Sequence, residues 1–219
     1  MKQSTLFIDK AISAANSYWR SYSKVPFLVA MEKGMLSQDA FRDYIVQDSL
    51  YLRAYLKCFG YAVAKSRTLR EMQLFYEALG YVSDGENKTR LAYLEEFGLS
   101  DADIDEMTLK PVGKAYAEFL LTTAKQGTVE DIVMVTMPCL MGYYDVFTTL
   151  VGRSPHLAHG YYAPMVADYT SSRYAAYIES WRQEVERLCA GLDNERQAAL
   201  IDLFVEASRH ELAFWKMLL

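Results

Sequence analysis

The sequence predicts an all-α protein, a single-domain bundle of several helices. Apolar residues recur at the three- and four-residue steps of amphipathic helices along most of the chain, and no stretch shows the two-residue alternation of a strand. The 219 residues include only 5 prolines and 11 glycines, and no Ser/Gly/Pro-rich linker divides them. We therefore expect one domain over residues 1–219, which is long enough to bury a sizeable core.

Breaks and caps define the first predicted helices. A first helix is predicted from about Thr5 to Tyr22. It ends before the break at Val25-Pro26, because the residue that precedes a proline disfavours helical backbone angles. Ser37 is a typical N-cap residue and opens a second helix. A third helical stretch is predicted from about Thr68 to Phe97, with an interruption at Asp84-Gly85.

The second half of the chain begins with an acidic segment, Ser100 to Glu106, which is predicted to be a loop. Pro111 then opens a helix, and Thr128 with Asp131 has the spacing of a capping box that opens the next one. In that helix Pro138 removes one backbone donor and predicts a kink. The remaining predictions are a stop at Gly152, an irregular or short-helical segment from Ser154 to Tyr169, a helix over Ser172 to Ala190 and a last helix from about Asn194 onward.

Charge, cysteine usage and hydropathy exclude several classes of protein. The net charge of −5 argues against a nucleic-acid partner, because phosphate contacts need clustered Lys and Arg. The longest uncharged stretch, Ile132 to Tyr144, is too short for a bilayer span, which needs about 20 residues. The N-terminus lacks the apolar run of a signal peptide. Three widely spaced cysteines without a C-x-x-C pair favour free thiols, so we expect a cytoplasmic protein without a membrane segment.

Three reactive side chains lie on helical stripes where apolar residues are expected: Asp48, Cys139 and Glu211. Alone, the thiol is typical of a small buried hydrophobe and each acid of an ion-pair partner. A buried carboxylate costs several kcal/mol unless it is hydrogen-bonded or protonated, so two of them with inward tyrosines indicate a shared polar pocket. An activated thiol can act as a nucleophile there, and an acid with a raised pKa can donate a proton. A catalytic pocket and an ordinary core both remain open on this pattern.

Metal sites are poorly supported by the sequence. His156 and His159 lie in a predicted loop beside a proline, and Glu206 with His210 forms a single i, i+4 pair. A helical di-iron site takes several Glu ligands and Glu-x-x-His motifs from different helices, which three histidines do not supply. No metal ligand is therefore predicted.

A combination of short motifs resembles the TenA family, also called thiaminase II or aminopyrimidine aminohydrolase, over essentially the full chain. The matching elements are Val25-Pro26-Phe27, Gln47-Asp48-Ser49-Leu50-Tyr51-Leu52, Tyr116, Pro138-Cys139 with Tyr143-Tyr144, Tyr169, and Glu211 with Phe214-Trp215. The resemblance implies a heme-oxygenase-like all-α bundle, assembly as a homotetramer, and hydrolysis of thiamin-derived aminopyrimidines, and of thiamin itself, without a cofactor. A heme oxygenase would need an axial histidine in the first helix, and no histidine precedes His156.

The resemblance also implies roles for individual residues. Cys139 would be the nucleophile, Glu211 the general acid and base, and Asp48 the acceptor for the amidine-like edge of the pyrimidine. Stacking and hydroxyl contacts would come from four tyrosines: Tyr51, Tyr116, Tyr143 and Tyr169. Two alternatives stay open: a protein that binds a pyrimidine without turnover, and a metal-dependent oxidase using Glu206 and His210.

Overall fold

The computed structural model describes residues 6–84 and 86–219, and side chains throughout these ranges except at 81–84 and 86. Every regular element in that part of the chain is helical, so the all-α prediction is confirmed. The helices are α1 (Phe7–Ala14), α2 (Asn16–Tyr22), α3 (Pro26–Glu32), α4 (Gln38–Lys65), α5 (Leu69–Asp84), α6 (Glu86–Glu96), α7 (Asp101–Asp105), α8 (Pro111–Gln126), α9 (Val129–Arg153), a 3-10 turn (Pro155–Ala158), α10 (Ala163–Thr170), α11 (Ser172–Cys189) and α12 (Asn194–Lys216).

The N-terminal prediction of one continuous helix is wrong. The chain turns at Ala15, which separates α1 from α2, and the predicted start at Thr5 lies outside the described residues. The turn directs Tyr22 toward α12, where its hydroxyl donates to the carbonyl oxygen of Ser208 at 3.0 Å. A buried tertiary hydrogen bond thus accompanies a break that helical periodicity does not reveal. Pro26 ends the preceding segment as predicted and then opens α3.

Side-chain caps fix several helix boundaries. Ser37 Oγ accepts from the N–H of Ala40, which confirms the predicted N-cap of α4. The predicted loop at 100–106 is instead the short helix α7, because the Asp103 carboxylate accepts from the N–H of Ser100 at 2.7 Å in a reciprocal capping box. The sequence predicted an interruption at Asp84-Gly85. Helix α5 ends at Asp84, and Gly85 lies outside the described residues.

The long helix α9 forms the centre of the bundle. Its predicted capping box is confirmed, since the N–H of Thr128 donates to the Asp131 carboxylate at 2.7 Å. The helix continues through Pro138 and also through Gly152, so the predicted stop falls one residue early; the kink stays a prediction. By length and composition α9 could cross a membrane, but 72% of its most apolar window is buried inside the fold.

Helix packing brings four elements around one interior region. Helix α9 packs against α12, α11, α8, α10 and α4, while α4 packs against α8 and α12 against both α8 and α9. Asp48 of α4, Tyr116 of α8, Cys139 of α9 and Glu211 of α12 are the candidate site residues that these helices carry.

Candidate active site

Asp48 is a buried carboxylate in the middle of α4, with only 9% of the residue exposed. Its Oδ1 accepts a hydrogen bond from the hydroxyl of Tyr143 at 3.2 Å, and the hydroxyl of Tyr44 approaches that of Tyr143 at 3.4 Å. Burial raises the pKa of Asp48 to about 7, against the opposing effects of the Tyr143 hydrogen bond and the positive charge of Arg90. At neutral pH the carboxyl is therefore divided between its charged and neutral forms.

Glu211 is more deeply buried, at 1% exposure, near the C-terminal end of α12. Burial raises its pKa to about 8; the Tyr116 hydroxyl and the Trp215 indole lower it, whereas the charge of Asp48 raises it further. Glu211 is consequently protonated at neutral pH. A carboxylic acid in this state can donate a proton and, once ionised, can accept one.

Several polar atoms around Glu211 are buried and have no hydrogen-bond partner among the described residues: Glu211 Oε1, the hydroxyls of Tyr51 and Tyr116, and Trp215 Nε1. Tyr116 and Trp215 are near enough to lower the pKa of Glu211, but neither satisfies the geometry of a hydrogen bond to it. Trp181 Nε1 is also unpaired, within a separate aromatic cluster. Each orphaned buried polar group costs about 1–3 kcal/mol. A concentration of such groups at one carboxyl is the arrangement expected where a polar ligand binds.

Cys139 is the half-buried thiol of α9. Burial is the main reason why the pKa values of Tyr51 and Tyr116 are raised, and the negative charge of the Cys139 thiolate raises them further. The thiol therefore lies within electrostatic reach of both hydroxyls. The other two cysteines have different surroundings. Burial raises the pKa of Cys58 and of Cys189 to about 12, which leaves them as unreactive thiols.

Aromatic rings form the walls of the same region. The ring centroids of Tyr143 and Tyr169 are 4.8 Å apart, as are those of Tyr143 and Trp215, and those of Tyr51 and Tyr116 are 4.9 Å apart. All four predicted tyrosines are buried. Flat walls with convergent hydroxyl and carboxyl groups suit a planar heteroaromatic ligand.

The sequence interpretation missed Tyr22, a buried side chain that α2 contributes to this region. Burial raises its pKa well above the usual value, and the nearby charges of Glu211 and Cys139 raise it further. Its ring lies against Gly142, one turn after Cys139 on α9, where an added Cβ would lie 3.2 Å from Tyr22 Cε2. Gly142, isolated within a long apolar helix, was the signal that could have indicated a closely packed ring.

The candidate metal ligands do not converge on one point. His156 and His159 are exposed, and a ring nitrogen of His156 contacts the Glu32 carbonyl oxygen at 2.9 Å. His210 Nε2 lies 3.4 Å from Glu206 Oε1, and its ring stacks on Tyr116. Within the described residues, no group of three or more His, Cys, Asp or Glu side chains is arranged to hold a metal ion.

Comparisons with known proteins show relatives that match nearly the whole chain. The family model described as TENA/THI-4/PQQC matches residues 12–219. An aminopyrimidine aminohydrolase from Halalkalibacterium halodurans is 26% identical over 211 residues, which cover 96% of this chain and 94% of the relative. The TenA homologue protein from P. horikoshii OT3 superposes with a TM-score of 0.85 at 22% identity, covering 98% of each chain.

A more distant structure has the same fold. A heme oxygenase from the cyanobacterium Synechocystis superposes with a TM-score of 0.64 at 13% identity, over 98% of this chain and 92% of its own. The heme-oxygenase-like prediction for the bundle is thereby confirmed. The chain belongs to the TENA/THI-4/PQQC family.

Proposed function

We propose that the protein is a thiamin-salvage hydrolase that converts 4-amino-5-aminomethyl-2-methylpyrimidine and water into 4-amino-5-hydroxymethyl-2-methylpyrimidine and ammonia, and that it also cleaves thiamin. The observation that carries this proposal is the set of unpaired buried polar atoms around protonated Glu211, close to Cys139 and Asp48. Relatives named aminopyrimidine aminohydrolase, at 24 to 26% identity, support the reaction class.

The first step is binding of the pyrimidine. In its ionised form Asp48 accepts a hydrogen bond from the exocyclic amino group, so its charge holds the ring and polarises it. The side chains proposed to enclose the ring are Tyr51, Tyr116, Tyr143 and Tyr169. Their aromatic faces favour a flat ligand, and their hydroxyls give it polar partners.

The second step is covalent. The Cys139 thiolate forms a bond from Sγ to an electron-poor ring carbon, and the displaced ring electrons expel the amine as its bond to the side-chain methylene breaks. Glu211 gives its proton to the departing ammonia. Water then adds to the exocyclic methylene while Glu211 takes one proton from it, and departure of the Cys139 thiolate restores the aromatic ring. Glu211 thus returns to its protonated state.

The pKa values of the two acids fit these different tasks. A pKa of about 8 leaves Glu211 protonated before the reaction, as a general acid requires. A pKa of about 7 leaves a substantial fraction of Asp48 ionised at the same pH. Two carboxyl groups whose environments separate their pKa values are a common arrangement for acid and base roles.

The test is the release of ammonia and hydroxymethylpyrimidine by purified wild-type protein, measured with a coupled ammonia assay and by chromatography. The proposal predicts equal amounts of both products, with turnover unaffected by EDTA. Binding of the pyrimidine without product would instead support a binding protein. Activity that chelation abolishes and a stoichiometric transition metal restores would support the oxidase alternative.

A further inference from the structure

Arg90 of α6 borders Asp48 although the two residues lie on different helices. Both line a small crevice of about 20 Å³ that Tyr169 of α10 also lines. Only 14% of the Arg90 side chain is exposed. Its Nη1 donates to Ser49 Oγ at 3.2 Å, and Ser49 directly follows Asp48 on α4. The guanidinium is therefore held against the turn of α4 that carries the candidate binding carboxylate.

The orientation of Arg90 is fixed from its other side as well. Nε and Nη2 donate to Asn87 Oδ1 at 3.2 and 2.6 Å, and Nη2 also contacts Asp101 Oδ1 at 3.0 Å. The Asp101 side chain is 62% exposed, so water screens and weakens this ion pair. Three nitrogens of the guanidinium are thus engaged, which preorganises its charge beside α4.

Arg90 also lines a second, larger pocket of about 260 Å³. This pocket shares Leu52 and Arg90 with the crevice and includes a second arginine, Arg53, which pairs with Asp105. Arg53 does not line the crevice at Asp48. Both arginines therefore line this pocket, but of the two only Arg90 also lines the crevice at Asp48, so Arg53 provides a matched control.

We propose that Arg90 is a positioning residue that keeps Asp48 ionised and thereby sets the pH range in which the site binds an aminopyrimidine. The inference rests on the proposed function, because it assumes that the Asp48 carboxylate accepts hydrogen bonds from the ligand. Burial favours the neutral acid, which accepts a hydrogen bond from the ligand's amino group more weakly than the charged carboxylate does. The fixed cation next to Ser49 counters that preference.

The other groups that face Asp48 cannot take over this role. Of the described residues that line the crevice, Arg90 is the one cationic side chain. The titratable neighbours from the packed elements are Tyr44 of α4, Tyr93 of α6, Tyr143 of α9, Asp168 and Tyr169 of α10, and Glu211 of α12. These groups are neutral or negative, so none of them can stabilise the carboxylate by opposite charge.

The expected effect of Arg90→Met on binding follows from the fraction of Asp48 that is ionised near pH 7. The pKa of Asp48 is about 7, and the positive charge of Arg90 lowers it, so loss of this charge raises it further. A rise of about one unit lowers the ionised fraction at pH 7 from about one half to about one tenth. Binding should then weaken about five-fold at pH 7 and recover near pH 9, where both proteins are ionised.

The experiment is isothermal titration calorimetry with 4-amino-5-hydroxymethyl-2-methylpyrimidine from pH 6.5 to 9. Arg90→Met should move the affinity profile to higher pH, and Arg90→Lys, which keeps the charge, should restore most of the wild-type profile. Arg53→Met should leave the profile unchanged. Asp48→Asn should bind more weakly, and its affinity profile should not shift when Arg90 is also replaced by Met, because the group on which Arg90 acts is gone.

The outcomes separate this inference from the proposed function. Wild-type protein that binds no pyrimidine at any pH would refute the proposed function and, with it, this inference. A wild type that binds, together with an Arg90→Met profile that is unmoved or weakened equally at every pH, would refute the inference alone. Equal effects of Arg53→Met and Arg90→Met would refute it as well.

Discussion

Replacement of Glu211 by glutamine should reduce activity and increase stability through the same buried carboxyl group. The proposed mechanism requires protonated Glu211 and ionised Asp48, whose pKa values are about 8 and about 7. Wild-type kcat/KM should therefore be highest between pH 7 and 8 and fall on both sides. Glutamine fills nearly the same volume but can neither give a proton to ammonia nor take one from water. We expect kcat to fall by about 10²–10⁴.

The stability effect depends on pH, and its sign follows from the raised pKa of Glu211. Folded protein retains this proton up to about pH 8, whereas the unfolded chain releases it near the ordinary value of 4.5. Below pH 4.5 the carboxyl is protonated in both states, so its titration does not change the free energy of unfolding. Between pH 4.5 and 8 the free energy of unfolding falls, because the unfolded state gains stability by ionising. A shift of this size corresponds to at most roughly 5 kcal/mol at pH 8.

Urea unfolding of wild type and Glu211→Gln at pH 5, 7 and 8.5 measures this effect. The stability of the variant relative to wild type should rise with pH, with a gain of a few kcal/mol at pH 8.5. Glu206→Gln is the matched control, since Glu206 is a partly exposed glutamate on the same helix that pairs with Arg209. It should show no such gain. A variant that keeps more than about a tenth of wild-type kcat, or whose relative stability is equal at pH 5 and 8.5, would refute this reasoning.

Two further predictions concern the surroundings of Cys139. Gly142→Ala should destabilise the protein by up to about 2 kcal/mol in urea unfolding, because crowding of the new Cβ against the Tyr22 ring at 3.2 Å costs about 1–3 kcal/mol, more than the roughly 1 kcal/mol that alanine gains over glycine inside a helix; a stabilised variant would show that the ring moves freely. Iodoacetamide at pH 8, followed by peptide mass mapping, should label Cys139 well before Cys58 and Cys189, whose thiols are buried with pKa values of about 12. Equal labelling of native protein at all three cysteines would contradict the assigned burial.

The sequence predicted most helices because the signals that set them are local. Ser37 and the pair Thr128 and Asp131 have short-range capping partners, and the structure confirms both caps. The break at Ala15 could not be predicted, since it goes with a tertiary contact between Tyr22 and α12. The acidic segment before α8 was misassigned because its composition is typical of a loop, whereas a reciprocal cap at its start supports a helical turn.

The candidate site shows the same division between local and long-range information. Asp48, Cys139 and Glu211 could be singled out because each interrupts an apolar stripe. Arg90 could not, because a charged residue on a polar helix is indistinguishable from a solvated one until its contact with Ser49, 41 residues away, is known. The single domain over the whole chain, the homotetramer and the cytoplasmic location stay predictions.

The most direct test of the proposed mechanism compares Cys139→Ser with Cys58→Ser in the ammonia-release assay. Both variants replace a thiol with a hydroxyl on a helix of the bundle, but only Cys139 lies near the tyrosines and the carboxyl of the site. The mechanism predicts that Cys139→Ser still binds the pyrimidine but releases no ammonia above background. Cys58→Ser should retain wild-type kcat per folded molecule. Turnover by Cys139→Ser at a rate near that of the wild type would contradict covalent catalysis by Cys139.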